Sequence, residues 1–269
     1  MEKITMCRLK IFRVTHQINE EENYISNNIF SDFIIGQKSK DNSFFGDLDS
    51  DDNISSEHTH SEMRAHYYIW KNHIKDYDYI GFEHFKRLLY VDYIPASELI
   101  EKHPILLYLR KKIEKNQNDE IFHDRIAYNE ALNIRIENNE EYNKKLIKKV
   151  SEYDIICVRS QNISTKSSLC DDNILEHVFS SCSYFKNNPM LVDFDHTTTN
   201  YRCSFIMKKN YFCEYMDFWY EIVKKLEKIL NKDPRELGYY SEKIFSYYLF
   251  QKKMENPLIR VNSVPMLSR

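Results

Sequence analysis

Short runs of β-branched and aromatic residues alternate along this chain with longer segments of helical character, and that order limits the folds open to it. Leu9 to Thr15 (LKIFRVT) reads as a strand, and Phe30 to Gly36 (FSDFIIG) as a second one ending at a glycine. A helix is expected from Ser61 to His73, where Met63, His66, Tyr67 and Trp70 stand near helical spacing. Strands follow at Tyr77 to Phe82, Tyr153 to Val158 and Cys203 to Met207, with a helix over Asp171 to Phe185 between the last two. Asn210 to Leu230 is a strong amphipathic helix. Asp233-Pro234 pairs a capping carboxylate with a proline at the first helical position, opening a last helix to about Lys253. A final strand falls near Leu258 to Val261. Strands alternating with helices predict an α/β fold: a mostly parallel central sheet flanked by helices. Ligands of such sheets bind beyond the carboxyl ends of the strands, which places Thr15-His16, Gly36 and the segment after Gly81 at one edge.

Two segments depart from this rhythm. Gln37 to Ser61 is polar and acidic and reads as one long loop, the kind that carries function in a compact domain. Pro104 to Val150, rich in Lys, Glu and Asn, reads as a helical hairpin inserted on the surface and interrupted near Asn116 to Asn118. With 269 residues, no internal repeat and no clear linker, residues 1–269 are expected to form one domain with an insertion at about 104–150.

Glycine is scarce. The four are Gly36, Gly46, Gly81 and Gly238. A phosphate-binding P-loop and a dinucleotide fingerprint both need clustered glycines, so both are excluded. The formal charge of −3 gives no bulk attraction to nucleic acid. The lysine-rich runs (110–115, 144–149, 224–232) are interleaved with acids and read as solvated faces, with peripheral contact to an anionic membrane as the alternative. Six cysteines show neither C-x-x-C nor zinc-finger spacing, and Cys157 and Cys203 sit inside apolar runs. Free buried thiols in a reducing compartment are the expectation. The first residues lack the apolar core of a signal peptide, and no apolar run approaches membrane-spanning length. A cytoplasmic location is therefore expected, with the inner face of the membrane as a refinement of it.

Four segments carry candidate chemistry. In Gly81-Phe82-Glu83-His84-Phe85-Lys86-Arg87 a strand ends and presents an imidazole, an ammonium and a guanidinium. That set suits a diphosphate leaving group, and an ordinary basic strand end is the alternative. Gly46 to Glu62, running into Tyr67-Tyr68-Ile69-Trp70-Lys71-Asn72, offers Asn53 and Ser55 to ribose or sugar hydroxyls. Its aromatics fit a core as well as a stacking surface, and His58 and His60 read as solvated. Arg235 to Glu242 opens a helix, and Glu242 there can serve as a general base or be a plain surface residue. Asp193, Asp195 and His196 have the form of a D-x-D site for Mn²⁺ or Mg²⁺, but read better as a solvated turn, so no metal is assigned.

Taken in order, these segments resemble the domain-of-unknown-function 4422 family, glycosyltransferase-like proteins of bacterial capsule and lipopolysaccharide gene sets. The resemblance rests on Thr15-His16, Gly36, Gly46-Asp47, Asp52-Asn53-Ile54-Ser55, Glu62 and Tyr67 to Asn72. It continues through Gly81 to Arg87, Asn200 with Phe205-Ile206-Met207, and Arg235, Gly238 and Ser241-Glu242 before Ile244-Phe245. Phe85 and Lys86 stand where Tyr and Arg are usual, Tyr68 replaces a Trp, and 104–150 is unlike the family's usual middle.

The resemblance implies a nucleotide-diphospho-sugar transferase fold of the GT-A kind. It implies transfer of a hexosyl or galactofuranosyl group from a nucleotide sugar, a UDP-sugar being favoured, to a glycan or lipid-linked glycan. In that scheme Thr15, His16 and Gly36 border the nucleotide, while Asp47, Asn53, Ser55 and Glu62 line the sugar side with Arg235 and Gly238 nearby. His84, Lys86 and Arg87 stabilise the departing diphosphate, and Glu242 takes the acceptor proton. The alternatives are a related transferase using another activated phosphate donor, and a non-catalytic nucleotide- or carbohydrate-binding subunit of a synthase complex.

Overall fold

The computed structural model describes residues 7–16, 24–39, 44–56, 60–91, 121–159, 170–192, 203–230 and 236–269. The strands are β1 (Leu9–Thr15), β2 (Phe30–Ile34), β3 (Phe45–Gly46), β4 (Tyr79–His84), β5 (Arg87–Leu89), β6 (Ile121–His123), β7 (Ile155–Val158), β8 (Phe205–Lys208), β9 (Val261–Val264) and β10 (Met266–Ser268). The helices are α1 (Met63–Asn72), α2 (Arg125–Glu137), α3 (Glu140–Ser151), α4 (Asp172–Ser180), the short α5 (Tyr184–Asn187), α6 (Lys209–Ile229) and α7 (Glu236–Glu255).

The ten strands form one sheet. β3, β2, β1 and β4 lie side by side and parallel. At β4 the sheet forks. From Tyr79 to Phe82 its free edge pairs antiparallel with β8, which leads on to β7 and β9. At His84 the partner becomes Arg87 of β5, leading to β10 and β6. The chain end crosses from one branch to the other at Pro265, between β9 and β10.

Both faces of the sheet are covered, so its central strands are buried along nearly their whole length. Period-two alternation sorts their side chains. Phe12, Val14, Ile80, Phe82, Cys157, Phe205 and Met207 face α1, α4, α6 and α7 in an aromatic-rich core. Leu9, Ile11, Tyr79, Ile156, Val158 and Ile206 face α2 and α3. On this scale, burying each large side chain stabilises by about 1.5–3 kcal/mol relative to exposure.

The segment read as a surface insertion is built into the second core. Its described part begins with β6, a strand of the main sheet. Tyr128, Ile134, Tyr142, Leu146 and Val150 of the hairpin are buried. The turn falls at Asn138-Asn139, where Asn138 takes a left-handed φ of 52° and Asn139 caps α3 by accepting from the amides of Glu141 and Tyr142. Residues 116–118 lie outside the described residues. The long acidic loop also holds structure. β3 brings Gly46 so close to the segment that follows β2 that a Cβ there would sit 2.2 Å from the Gln37 carbonyl oxygen, and only glycine fits. Cys157, Cys182 and Cys203 are free thiols, buried as expected, and Cys170 is buried too.

Candidate functional site

The fork positions the site. β1 ends at Thr15, whose carbonyl accepts from Ile35, and His16 follows at the tip. Val14 lies opposite His84 in register, and Phe85 N–H donates to the Val14 carbonyl. His84 therefore stands beside the end of β1, where the sheet opens. The turn just before α1 supplies the third group. Ser61 takes φ +46°, a strained value for a residue with a side chain, and turns Glu62 toward the strand tips.

Three side chains converge there. His84 Nε2 lies 3.6 Å and His16 Nε2 3.7 Å from the same oxygen, Glu62 Oε1. Ser61 Oγ donates to the other, Glu62 Oε2, at 2.5 Å. Lys86 N–H donates to His84 Nδ1 at 3.1 Å, which leaves the proton of the neutral ring on Nε2, facing Glu62. Burial opposes ionisation of Glu62, but His16 and Ser61, its own backbone amide and nearby His84 overrule it and hold the pKa at about 2. Burial pushes His84 down to about 4, with Glu62 pulling against it and Arg87, His16 and Lys86 adding to it. At neutral pH the rim thus holds a carboxylate beside a neutral imidazole. His84 is therefore an N–H donor, and the positive charge at this strand end belongs to Lys86 and Arg87.

A fourth residue, not singled out in the sequence beyond its helical spacing, ties the site together. His66 is buried and stacks on Phe82, ring centroids 3.8 Å apart. Its Nδ1 lies 2.9 Å from the Glu62 carbonyl oxygen and its Nε2 3.1 Å from that of Cys203. Cys203 is also strained, at φ +43°. Burial first, then Glu242 and Glu62, push its thiol well above the ordinary range. Cys203 thus feels both carboxylates, and Glu242 of α7 is half-buried.

Beneath the rim the remaining charges are sealed in pairs. Asp47, buried, accepts from Gly36 N–H at 2.6 Å and from Arg64 at 2.6–2.8 Å. Gly36 adopts φ +77° there. Arg13 pairs with Asp32 at 2.5 and 2.8 Å. Glu83 pairs with Arg135 of α2 at 2.5 Å and accepts from Leu89 N–H, while Tyr128 of α2 donates to the Phe85 carbonyl. The turn bearing His84, Lys86 and Arg87 is thus held from below by α2.

Other expected residues fall elsewhere. Asn53 closes a turn by donating to the Ser50 carbonyl and accepting from Ser55 N–H. Neighbouring Asp52 is bonded to Tyr67 and Asn72. Those positions are five and ten residues beyond Glu62, about 7–15 Å down the helix, so Asn53 and Ser55 are not brought to the rim trio. Gly238 lies in the first turn of α7 with open space where a Cβ would be. His60, read as solvated, is buried against Trp219 with its Nε2 2.8 Å from Glu227. Arg235, Asp193, Asp195, His196 and His58 lie outside the described residues. Among the described residues, no group of three or more His, Cys, Asp or Glu is arranged to hold a metal ion. No described helix is long and apolar enough to cross a membrane.

A forked, mostly parallel sheet with helices on both faces and a polar rim at the strand tips defines an α/β protein. The chain belongs to the family described as Domain of unknown function (DUF4422), whose model matches residues 10–253. Among solved structures it resembles the apo structure of WbbM, a bifunctional glycosyltransferase. The TM-score is 0.69 and the identity 17%, over 97% of this chain and 45% of that one. The chain thus spans less than half the length of that protein. No curated protein matches it.

Proposed function

We propose that the chain is a glycosyltransferase that moves a sugar from a nucleotide-diphosphate donor, a UDP-sugar by preference, to a hydroxyl of a growing glycan of the capsule or lipopolysaccharide type. The observation that carries this reading is the convergence of His16, Glu62 and His84 at the fork. Likeness of fold to a glycosyltransferase supports it. In this reading Thr15, His16 and Gly36 border the nucleotide, and Asp47 acts from below by fixing Gly36 and Arg64.

Lys86 and Arg87 meet the charge that builds on the departing diphosphate. No resident metal is assigned to the rim trio, because His84 Nε2 carries its ring's proton and is a donor rather than a ligand. Glu242 takes the proton of the attacking hydroxyl. The displacement passes through a transition state of oxocarbenium character. The acceptor is a glycan, free or lipid-linked, and residues 1–269 act as one domain.

The test is direct. The nucleotide sugar that most raises the melting temperature of the chain is identified first. Release of nucleoside diphosphate from it is then measured for the wild type and for Glu242→Gln. Turnover should drop by roughly 10²–10⁴-fold with donor binding retained. Unchanged turnover would remove Glu242 from the base role, and absence of any stabilising nucleotide sugar would remove the donor class.

A further inference from the structure

The two imidazole nitrogens stop short of Glu62. Separations of 3.6 and 3.7 Å exceed a hydrogen bond, so Oε1 accepts from neither ring, while Oε2 is taken by Ser61. Ser61 Oγ also lies 3.3 Å from His16 Nε2, so that hydroxyl already bridges His16 and Glu62, and the acceptor left over is Oε1, facing the N–H of His84 Nε2. The side chains of His84, Glu62 and His16 are 19%, 32% and 44% exposed, which makes the gap reachable from solvent. An oxygen can sit within hydrogen-bond distance of both partners of a 3.6 Å pair if it accepts from the imidazole and donates to the carboxylate. A hydroxyl does both. The doubly esterified diphosphate of a nucleotide sugar has no O–H to donate and is repelled by Glu62, and an ammonium cannot accept.

We infer that the gap between Glu62 Oε1 and His84 Nε2 is the seat of one hydroxyl of a sugar or ribose ring, and not a phosphate subsite. That hydroxyl accepts from His84 and donates to Glu62, as the Ser61 hydroxyl does between His16 and the other carboxylate oxygen. The inference rests on the proposed function only in placing a sugar-bearing substrate at the rim. It separates the tasks of the adjacent residues: the diphosphate lies toward Lys86 and Arg87, and the ring lies over Glu62.

The experiment needs no turnover. Ring ¹⁵N–¹H spectra of the full chain are read at His16 and His84 during titration with methyl glucopyranoside, methyl galactopyranoside and methyl ribofuranoside, each with and without inorganic pyrophosphate. At least one glycoside should shift the His84 ring. Its affinity should weaken by roughly 10-fold or more in Glu62→Gln, as expected on losing a hydrogen bond to a charged acceptor. Pyrophosphate should leave that titration in place. A response to the riboside alone assigns the slot to the nucleotide, and one to a pyranoside assigns it to the transferred or accepting sugar. Displacement of the glycoside by pyrophosphate, equal affinity in Glu62→Gln, or no response to any glycoside would overturn the assignment. Because donor hydrolysis plays no part, failure of the slot and failure of the transferase reading are told apart.

Discussion

Glu83 and His84 follow one another on β4, yet one is sealed beneath the α2–α3 hairpin and the other stands at the open rim. Glu83 has both carboxylate oxygens engaged, one by Arg135 and one by Leu89 N–H, and is 2% exposed. Glu62, across the rim from His84, keeps one oxygen without a bond to either imidazole and is 32% exposed. The same side-chain chemistry thus serves two ends. A saturated, buried pair fixes backbone. An anion with an unfilled acceptor at a strand tip is set to meet a ligand.

The sharpest way to break this contrast is to remove one partner of a sealed pair. Arg135→Met should cost about 3–5 kcal/mol, because it strands Glu83 as a buried, uncompensated charge. Urea unfolding followed by circular dichroism measures it, and a loss under 1 kcal/mol would mean that Glu83 reaches water.

The next effect is linked to pH. Burial holds the His66 ring at about 4, against an ordinary value of 6.5. Between those values the unfolded chain binds a proton that the folded chain refuses. Stability from this group is therefore complete above pH 6.5 and declines as pH falls toward 4, by about 3 kcal/mol in all. Unfolding midpoints at pH 7, 5.5 and 4.5 should fall in that order, and the slope should be shallower in His66→Gln. His84, shifted the same way, contributes a smaller part because it is less buried.

How far the sequence discloses this arrangement depends on the range of the interaction. β1, β2, β4, β7 and β8 announce themselves because strands buried on both faces are continuous apolar runs. The long helices α6 and α7 are legible from their spacing and length. Thr15-His16, Glu62 and His84 are marked by motif order. Partners far apart in the chain leave no local trace: nothing near Glu83 points to Arg135, 52 residues on. The hairpin turn at Asn138-Asn139 carries no sharp local signal because lysine and asparagine are plentiful on both sides of it, and its buried face emerges only against β6 and β10. His66 reads as one more helix-face residue. Its role comes from Cys203, 137 residues later, held in a backbone conformation that composition does not reveal.

The comparison between sealed and open carboxylates is tested most directly by making the same isosteric change at each. Glu62→Gln and Glu83→Gln are compared for thermal stability and for release of nucleoside diphosphate from the stabilising nucleotide sugar. Glu62→Gln should lose most of its turnover and no more than about 3 kcal/mol of stability, the worth of its lowered pKa. Glu83→Gln should lose stability first, by about 3–5 kcal/mol, because it leaves Arg135 a buried charge without its anion. A Glu62→Gln chain that turns over normally, or one that unfolds as readily as Glu83→Gln, would contradict the division between rim and foundation.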